Sequence, residues 1–322
     1  MWLKIRMYLL VAVLFAILYG VIVLIGNAMG IGSAFFYLGA AFVMLGIQYL
    51  IGPALVGWTM RVKWVTAQQE PELHQMVAEL AEQAHLPKPK VGISELSMPN
   101  AFAYGRTQRD GRVCVTRGIL GILNHDELKA VLGHEMSHLK HRDMAVITIL
   151  SAIPMLLYWV AWTFMWGGMG GSRSKNNNNI GALVGIGAFA LYFITNLLVM
   201  YGSRIREYYA DQGSAELGNQ PHQLATALYK LTQANTRPRS KEETKRVEAV
   251  KAFFVADPAR ASMEVRELAQ VDRRHAGVIT YDDLMDLRQK QVNISFGQKV
   301  AEIFMTHPNM VKRVKRLSTF VV

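Results

Sequence analysis

The sequence predicts a mainly helical chain with one small β-sheet, interrupted by four long apolar helices. Three observations carry that expectation. Residues 7–25, 34–58, 144–166 and 180–201 form four apolar runs without a charged side chain. The stretches between them are polar and show helical periodicity or short strand-like segments. Residues 134–138 read His134-Glu135-Met136-Ser137-His138 within a well-signalled helix.

The first run has Lys4 and Arg6 ahead of it, as a signal peptide would. It is longer than an ordinary cleaved apolar region, and a second run follows at once, so we expect a retained span. The second run, 34–58, is also long enough to cross about 30 Å of hydrocarbon. Lys4 and Arg6 flank one outer end of the pair, and Arg61 and Lys63 flank the other. The positive-inside rule then puts both outer ends in the cytoplasm. Residues 1–60 are therefore expected to form a transmembrane hairpin.

Residues 61–143 read as the first part of a soluble unit. Residues 70–85 are helical, with Leu73, Val77 and Leu80 on the apolar face. Residues 91–94 are a strand candidate. Residues 101–107 and 112–116 flank Asp110-Gly111 and suggest a hairpin. The next helix spans about 126–141. Asn124 is its expected N-cap, and Glu127 completes a capping box.

Residues 144–201 supply the second apolar pair, joined by a Gly-, Ser- and Asn-rich loop at 167–179. All-round hydrophobicity favours membrane helices over buried core helices. Arg173 and Lys175 in the loop run against the positive-inside rule, so a shallow or re-entrant pair stays open. Residues 202–322 are polar, mostly helical, and form the second part of the soluble unit. Residues 235–245 are basic and contain Pro. The tail residues Lys312, Arg313, Lys315 and Arg316 read as a solvated helix face, with lipid headgroups as the alternative contact.

Composition narrows the function classes. The chain is 51% hydrophobic with a net charge of +11. Zinc-finger spacing and aromatic-interleaved basic repeats are both missing, so nucleic acid is not an expected partner. A basic domain lying on anionic lipid explains the charge more simply. The single cysteine, Cys114, cannot form an intrachain disulfide and reads as a buried small hydrophobe.

The chemistry starts from the two histidines. Four residues apart on a helix, His134 and His138 share a face and can reach one Zn²⁺. Glu135 can take a proton from an attacking water. A catalytic zinc needs a third protein ligand and one open position. Glu207 is the best candidate. Asp211, four residues on, shares its helix face and could fix the tautomer of a ligand histidine. His141 is the alternative, but one continuous helix cannot easily wrap three side chains around a tetrahedral ion. Topology favours Glu207, since two crossings, or one re-entrant pair, return the chain to the side it left.

These residues resemble the HtpX-like integral-membrane zinc metalloproteases, relatives of the CAAX prenyl-protein endopeptidases. The matching pieces are Pro99 through Gly105, Gly133 through His138 with His141-Arg142-Asp143, Arg206 through Asp211, and Thr306-His307-Pro308. Tyr208-Tyr209 departs mildly from the pattern. The resemblance implies a gluzincin-type zinc metalloprotease domain fused to the four apolar helices. It implies one zinc per chain on His134, His138 and Glu207, with Glu135 as general base. It also implies a strand beside the cleft at 100–105, and a role in membrane-protein quality control and stress response. Unfolded or misfolded proteins would be the substrates, and the protease domain would face the cytoplasm from the inner membrane. Asn100 and His307 are candidates for substrate or oxyanion contact; His307 could equally cap a helix. The rivals are a CAAX-type protease, a membrane protein with a structural metal, and an inactive relative. Ionisable residues outside the spans argue against a transporter.

Overall fold

The computed structural model describes residues 9, 10, 13, 17, 31–166, 178–236, 261–274, 276–290 and 295–321. Most of the first apolar run, the 167–177 loop and most of the basic 235–245 stretch lie outside them. The chain divides into two compact units. One comprises residues 1–51 and 145–205, the other 52–144 and 206–322.

The first unit is apolar and helical. It contains most of α1 (Ile31–Thr59), nearly all of α5 (Asp143–Trp166), and the first part of α6 (Asn178–Glu216). Two helices among the described residues are long and apolar enough to cross a membrane, at Ala145–Met165 and Ala182–Glu216. Leu150, Ile153 and Leu157 pack with Leu191, Tyr192 and Leu198. Trp159, Trp162, Leu183, Ile186 and Phe189 stay exposed. An apolar exterior of this kind suits hydrocarbon rather than water. The polar residues inside α6 are satisfied locally. Thr195 Oγ1 donates to the Leu191 carbonyl at 2.8 Å, and Asn196 Nδ2 to the Tyr192 carbonyl at 3.0 Å. Such back-bonding is what lets polar side chains sit in a span.

The second unit is built on a four-stranded sheet of order β1-β2-β4-β3. Its strands are β1 (Val62–Trp64), β2 (Lys90–Ser94), β3 (Ala101–Tyr104) and β4 (Arg112–Thr116). The 101–116 hairpin forms as expected, with Ala101 opposite Val115 and Tyr104 opposite Arg112. Its connection is longer than a two-residue Asp110-Gly111 turn, because a 3₁₀ turn at Gln108–Asp110 intervenes. Strand β1, antiparallel to β2, escapes the sequence reading. Three residues of which only Val62 is not exposed carry too little periodicity to be seen.

Helices α2 (Pro71–Ala84), α4 (His125–Lys140) and α7 (Pro221–Ala234) cover the sheet and one another, with a single turn α3 (Arg117–Leu120) between β4 and α4. Helices α8 (Ala261–Leu268), α9 (Tyr281–Gln289), α10 (Phe296–Ile303) and α11 (Met310–Leu317) follow. One core joins them: Leu80 from α2, Val113 and Val115 from β4, Leu132 and Met136 from α4, Leu228 from α7, and Val314 and Leu317 from α11. Gly202 does not end the fourth apolar run. Helix α6 passes through it and is 39 residues long in all, so apolar stretch and polar continuation are one element.

Candidate metal centre

Helix α4 is fixed at its start before it presents any chemistry. Asn124 Oδ1 accepts from the Glu127 N–H at 2.9 Å, and Glu127 Oε2 accepts from the Asn124 N–H at 3.0 Å. The buried Glu127 carboxylate also takes Lys230 Nζ at 2.7 and 2.8 Å, which fastens α7 to the cap. The expected capping box is therefore present and charge-paired.

Helix α6 then lies against α4 through small side chains. Ser214 Oγ donates to the Ala130 carbonyl at 2.7 Å. A Cβ on Gly213 would fall 2.1 Å from Ser137 Oγ, so only glycine permits this approach. This contact, beside His138, brings Glu207 into register with both histidines.

His134, His138 and Glu207 each offer one ligand atom, and the three lie within 4.8 Å of one another. The two Nε2 atoms are 3.2 Å apart. Glu207 Oε2 lies 3.7 Å from His134 Nε2, and Oε1 lies 3.6 Å from His138 Nε2. Ligands about 2.05 Å from a tetrahedral ion are separated by about 3.3 Å. The Nε2–Nε2 separation is close to that value, whereas Glu207 meets the two rings with different oxygens, and one ligand atom from each residue brings the set within 4.8 Å.

The hydrogen bonds behind the cluster sharpen the fit. His134 Nδ1 lies 3.0 Å from Asp211 Oδ1. His138 Nδ1 lies 2.6 Å from Asp143 Oδ2. With each Nδ1 donating to a carboxylate, both Nε2 lone pairs face each other and call for a cation between them. Glu207 Oε2 is buried without a well-aligned hydrogen bond, though Arg313 Nη1 and His307 Nδ1 lie 3.2 and 3.4 Å from it. Around the cluster, Asp143, Glu207 and Asp211 are buried together with Arg206 and Arg313, so carboxylates outnumber guanidinium groups there.

Arg313 on α11 closes the site from behind. Its Nε and Nη2 grip Asp211 at 2.9 and 2.7 Å. Its Nη1 is 3.2 Å from Glu207 Oε2. It is fully buried, which corrects its reading as part of a solvated basic face. Arg313 shares a helix face with Met310, Val314 and Leu317, so position rather than residue type reveals its burial.

Glu135 sits beside the cluster and is 4% exposed. Burial pushes its carboxyl up to about 7, with His138 opposing and Glu207 reinforcing the shift. The Ala103 N–H donates to it. Ala103 lies on β3, at the edge of the sheet. The Asn100 carbonyl accepts from Thr116 at 2.9 Å, so by alternation the main chain of Ala101 and Ala103 faces away from β4.

The remaining candidates divide. His307 reaches the site: its Nδ1 is 3.4 Å from Glu207 Oε2, and neither ring nitrogen has a hydrogen-bond partner. Asn100 is buried just ahead of β3, with its N–H on Thr116 Oγ1 at 2.8 Å. His141 stands apart from the cluster. Its Nδ1 faces the Ser137 carbonyl at 2.9 Å, and its ring packs near Tyr209. Asp143, Arg206 and Arg313 were missed as site residues. For Asp143 the available signal was its place five residues after His138.

Residues 67–321 match peptidase family M48. A "Protease HtpX homolog" of Methanothermobacter thermautotrophicus is 51% identical over 229 residues, which is 71% of this chain and 85% of that protein. A "Protease HtpX homolog" of Thermococcus kodakarensis is 33% identical over 324 residues, covering 97% of this chain and 95% of that one. The crystal structure of S. mikatae Ste24p has a similar fold, with a TM-score of 0.50 at 15% identity. That match covers 98% of this chain and 65% of the other.

Proposed function

The chain belongs to peptidase family M48, and on that premise we propose that it is a membrane-embedded zinc endopeptidase cutting unfolded or damaged proteins. The observation that carries the reading is the approach of His134, His138 and Glu207 to one another with Glu135 beside them. In this reading His134, His138 and Glu207 hold one zinc ion, and Asp211 fixes the tautomer of His134. Zinc, when bound, would supply Lewis acidity toward a water and toward the scissile carbonyl.

Glu135 takes the proton of the attacking water and delivers it to the leaving amine. His307, whose Nδ1 lies 3.4 Å from Glu207 Oε2, donates from its ring to the carbonyl oxygen as negative charge develops there. Apart from the Ala103 N–H, which Glu135 already takes, the outer edge of β3 binds an extended segment through its main chain, with little demand on sequence. That tolerance fits substrates defined by being unfolded. The two candidate spans hold the catalytic unit at the membrane, facing the cytoplasm, where it acts in quality control and the stress response.

The test is hydrolysis of an unfolded test protein by the detergent-purified, zinc-loaded chain and by Glu135→Gln, with metal content measured for both. At equal zinc, the variant should lose at least about 100-fold in turnover. Hydrolysis retained by Glu135→Gln would remove Glu135 from this role. Cleavage confined to prenylated peptides would replace the substrate class with that of a CAAX-type enzyme.

A further inference from the structure

His138 is the less secure of the two histidines. It lies on the last turn of α4, which ends at Lys140, where backbone carbonyls lose their helical partners. Its side chain is 17% exposed, against 1% for His134. Packing alone holds it less firmly.

What holds it is a pair of charges. The chain turns at Arg142, a left-handed residue with φ 54°, and Asp143 returns to His138. Asp143 Oδ2 lies 2.6 Å from His138 Nδ1. Asp143 Oδ1 lies 3.0 Å from Arg206 Nη2. Both Asp143 and Arg206 are buried. Asp143 is the first residue of α5, and Arg206 precedes Glu207 on α6. One ion pair therefore joins the start of α5 to the turn of α6 that carries the third ligand.

Resting on the reading that His138 is a metal ligand, we propose that Asp143 and Arg206 form a positioning clasp that fixes the tautomer and aim of His138 and ties them to the spacing of α5 and α6. Arg206 acts only through Asp143. It holds one carboxylate oxygen so that the other stays on the imidazole. A competing role exists for Asp143, since an acidic residue in the first turn also stabilises a helix. That role would leave the metal untouched.

The test uses the full chain in detergent. Zinc affinity is measured by chelator competition and ligand orientation by the absorption bands of the cobalt-substituted protein. Asp143→Ala should weaken zinc about 10- to 100-fold and shift the cobalt bands. Arg206→Gln should weaken zinc less, and the double variant should be no weaker than Asp143→Ala alone. Where Asp143→Ala fails to fold, Asp143→Asn decides, because it keeps the side chain's size and an acceptor but loses the charge. It should weaken zinc measurably and shift the bands. Parental affinity and parental bands in the Asp143 variants overturn the clasp, and so do additive effects in the double variant. Unchanged zinc binding in His138→Ala would overturn the clasp together with the ligand assignment. Loss of zinc in His138→Ala, with none in Asp143→Ala, would overturn the clasp alone.

Discussion

Gly213 sets how closely α6 approaches α4, and its Cα faces Ser137, the residue before His138. A methyl group there meets both Oγ and Cβ of Ser137, the latter at 2.5 Å. Rotating the hydroxyl cannot relieve the clash, so the helices must separate. Gly213→Ala is expected to destabilise the protein by about 1–3 kcal/mol and to weaken zinc binding. Denaturant midpoints and chelator competition would check this, and Ser137→Gly in the same chain should restore both. Arg313 makes a second case. Removing it leaves Asp211 and Glu207 buried without their cation. Arg313→Met should cost about 3–5 kcal/mol, measured by denaturant unfolding, whereas Lys312→Met beside it should cost far less. At this scale the sequence was uneven. The HExxH spacing placed two candidate ligands because four residues make a little over one helical turn. Arg313 stayed hidden because its partners lie about a hundred residues away, and three other cations surround it in the tail.

Helix boundaries were legible where side chains signal them locally. The Asn124 cap is the clearest instance, and Asn124→Ala should lower stability by about 0.5–2 kcal/mol. A smaller loss of thermal stability than that range implies would mean that the Lys230–Glu127 pair alone secures the start of α4. Helix α6 was harder to read. Gly202 and the change from apolar to polar residues suggested a boundary, and glycine inside a helix does cost about 1 kcal/mol relative to alanine. A Cβ at Gly202 would lie 2.6 Å from Leu10 Cδ2, so close packing explains the residue without a break. Backbone hydrogen bonding continues across a change in polarity, and hydropathy cannot report that continuity. Strand β1 failed for the opposite reason. It is short and mostly exposed, and its identity comes from pairing with β2 rather than from its own pattern.

For the molecule as a whole, the chain order is the informative property. The second unit is discontinuous, made from 52–144 and 206–322, and the proposed ligands are drawn from both segments. Zinc should therefore stabilise the folded unit by linkage, about 2.7 kcal/mol at a hundredfold excess over its Kd. The melting temperature should rise with zinc for the parent and for Glu135→Gln, and stay flat for His134→Ala. A zinc-dependent rise in His134→Ala would place the ion elsewhere. The same discontinuity has a consequence for biosynthesis. Arg313 meets His134 across 179 residues of sequence, and both apolar helices α5 and α6 are translated between them. A growing chain that has already exposed its HExxH helix still lacks Glu207 and the guanidinium that braces it. On the proposed assignment, the centre would therefore come together only after α6 and the C-terminal helix α11 have been made, and would be incomplete during most of synthesis.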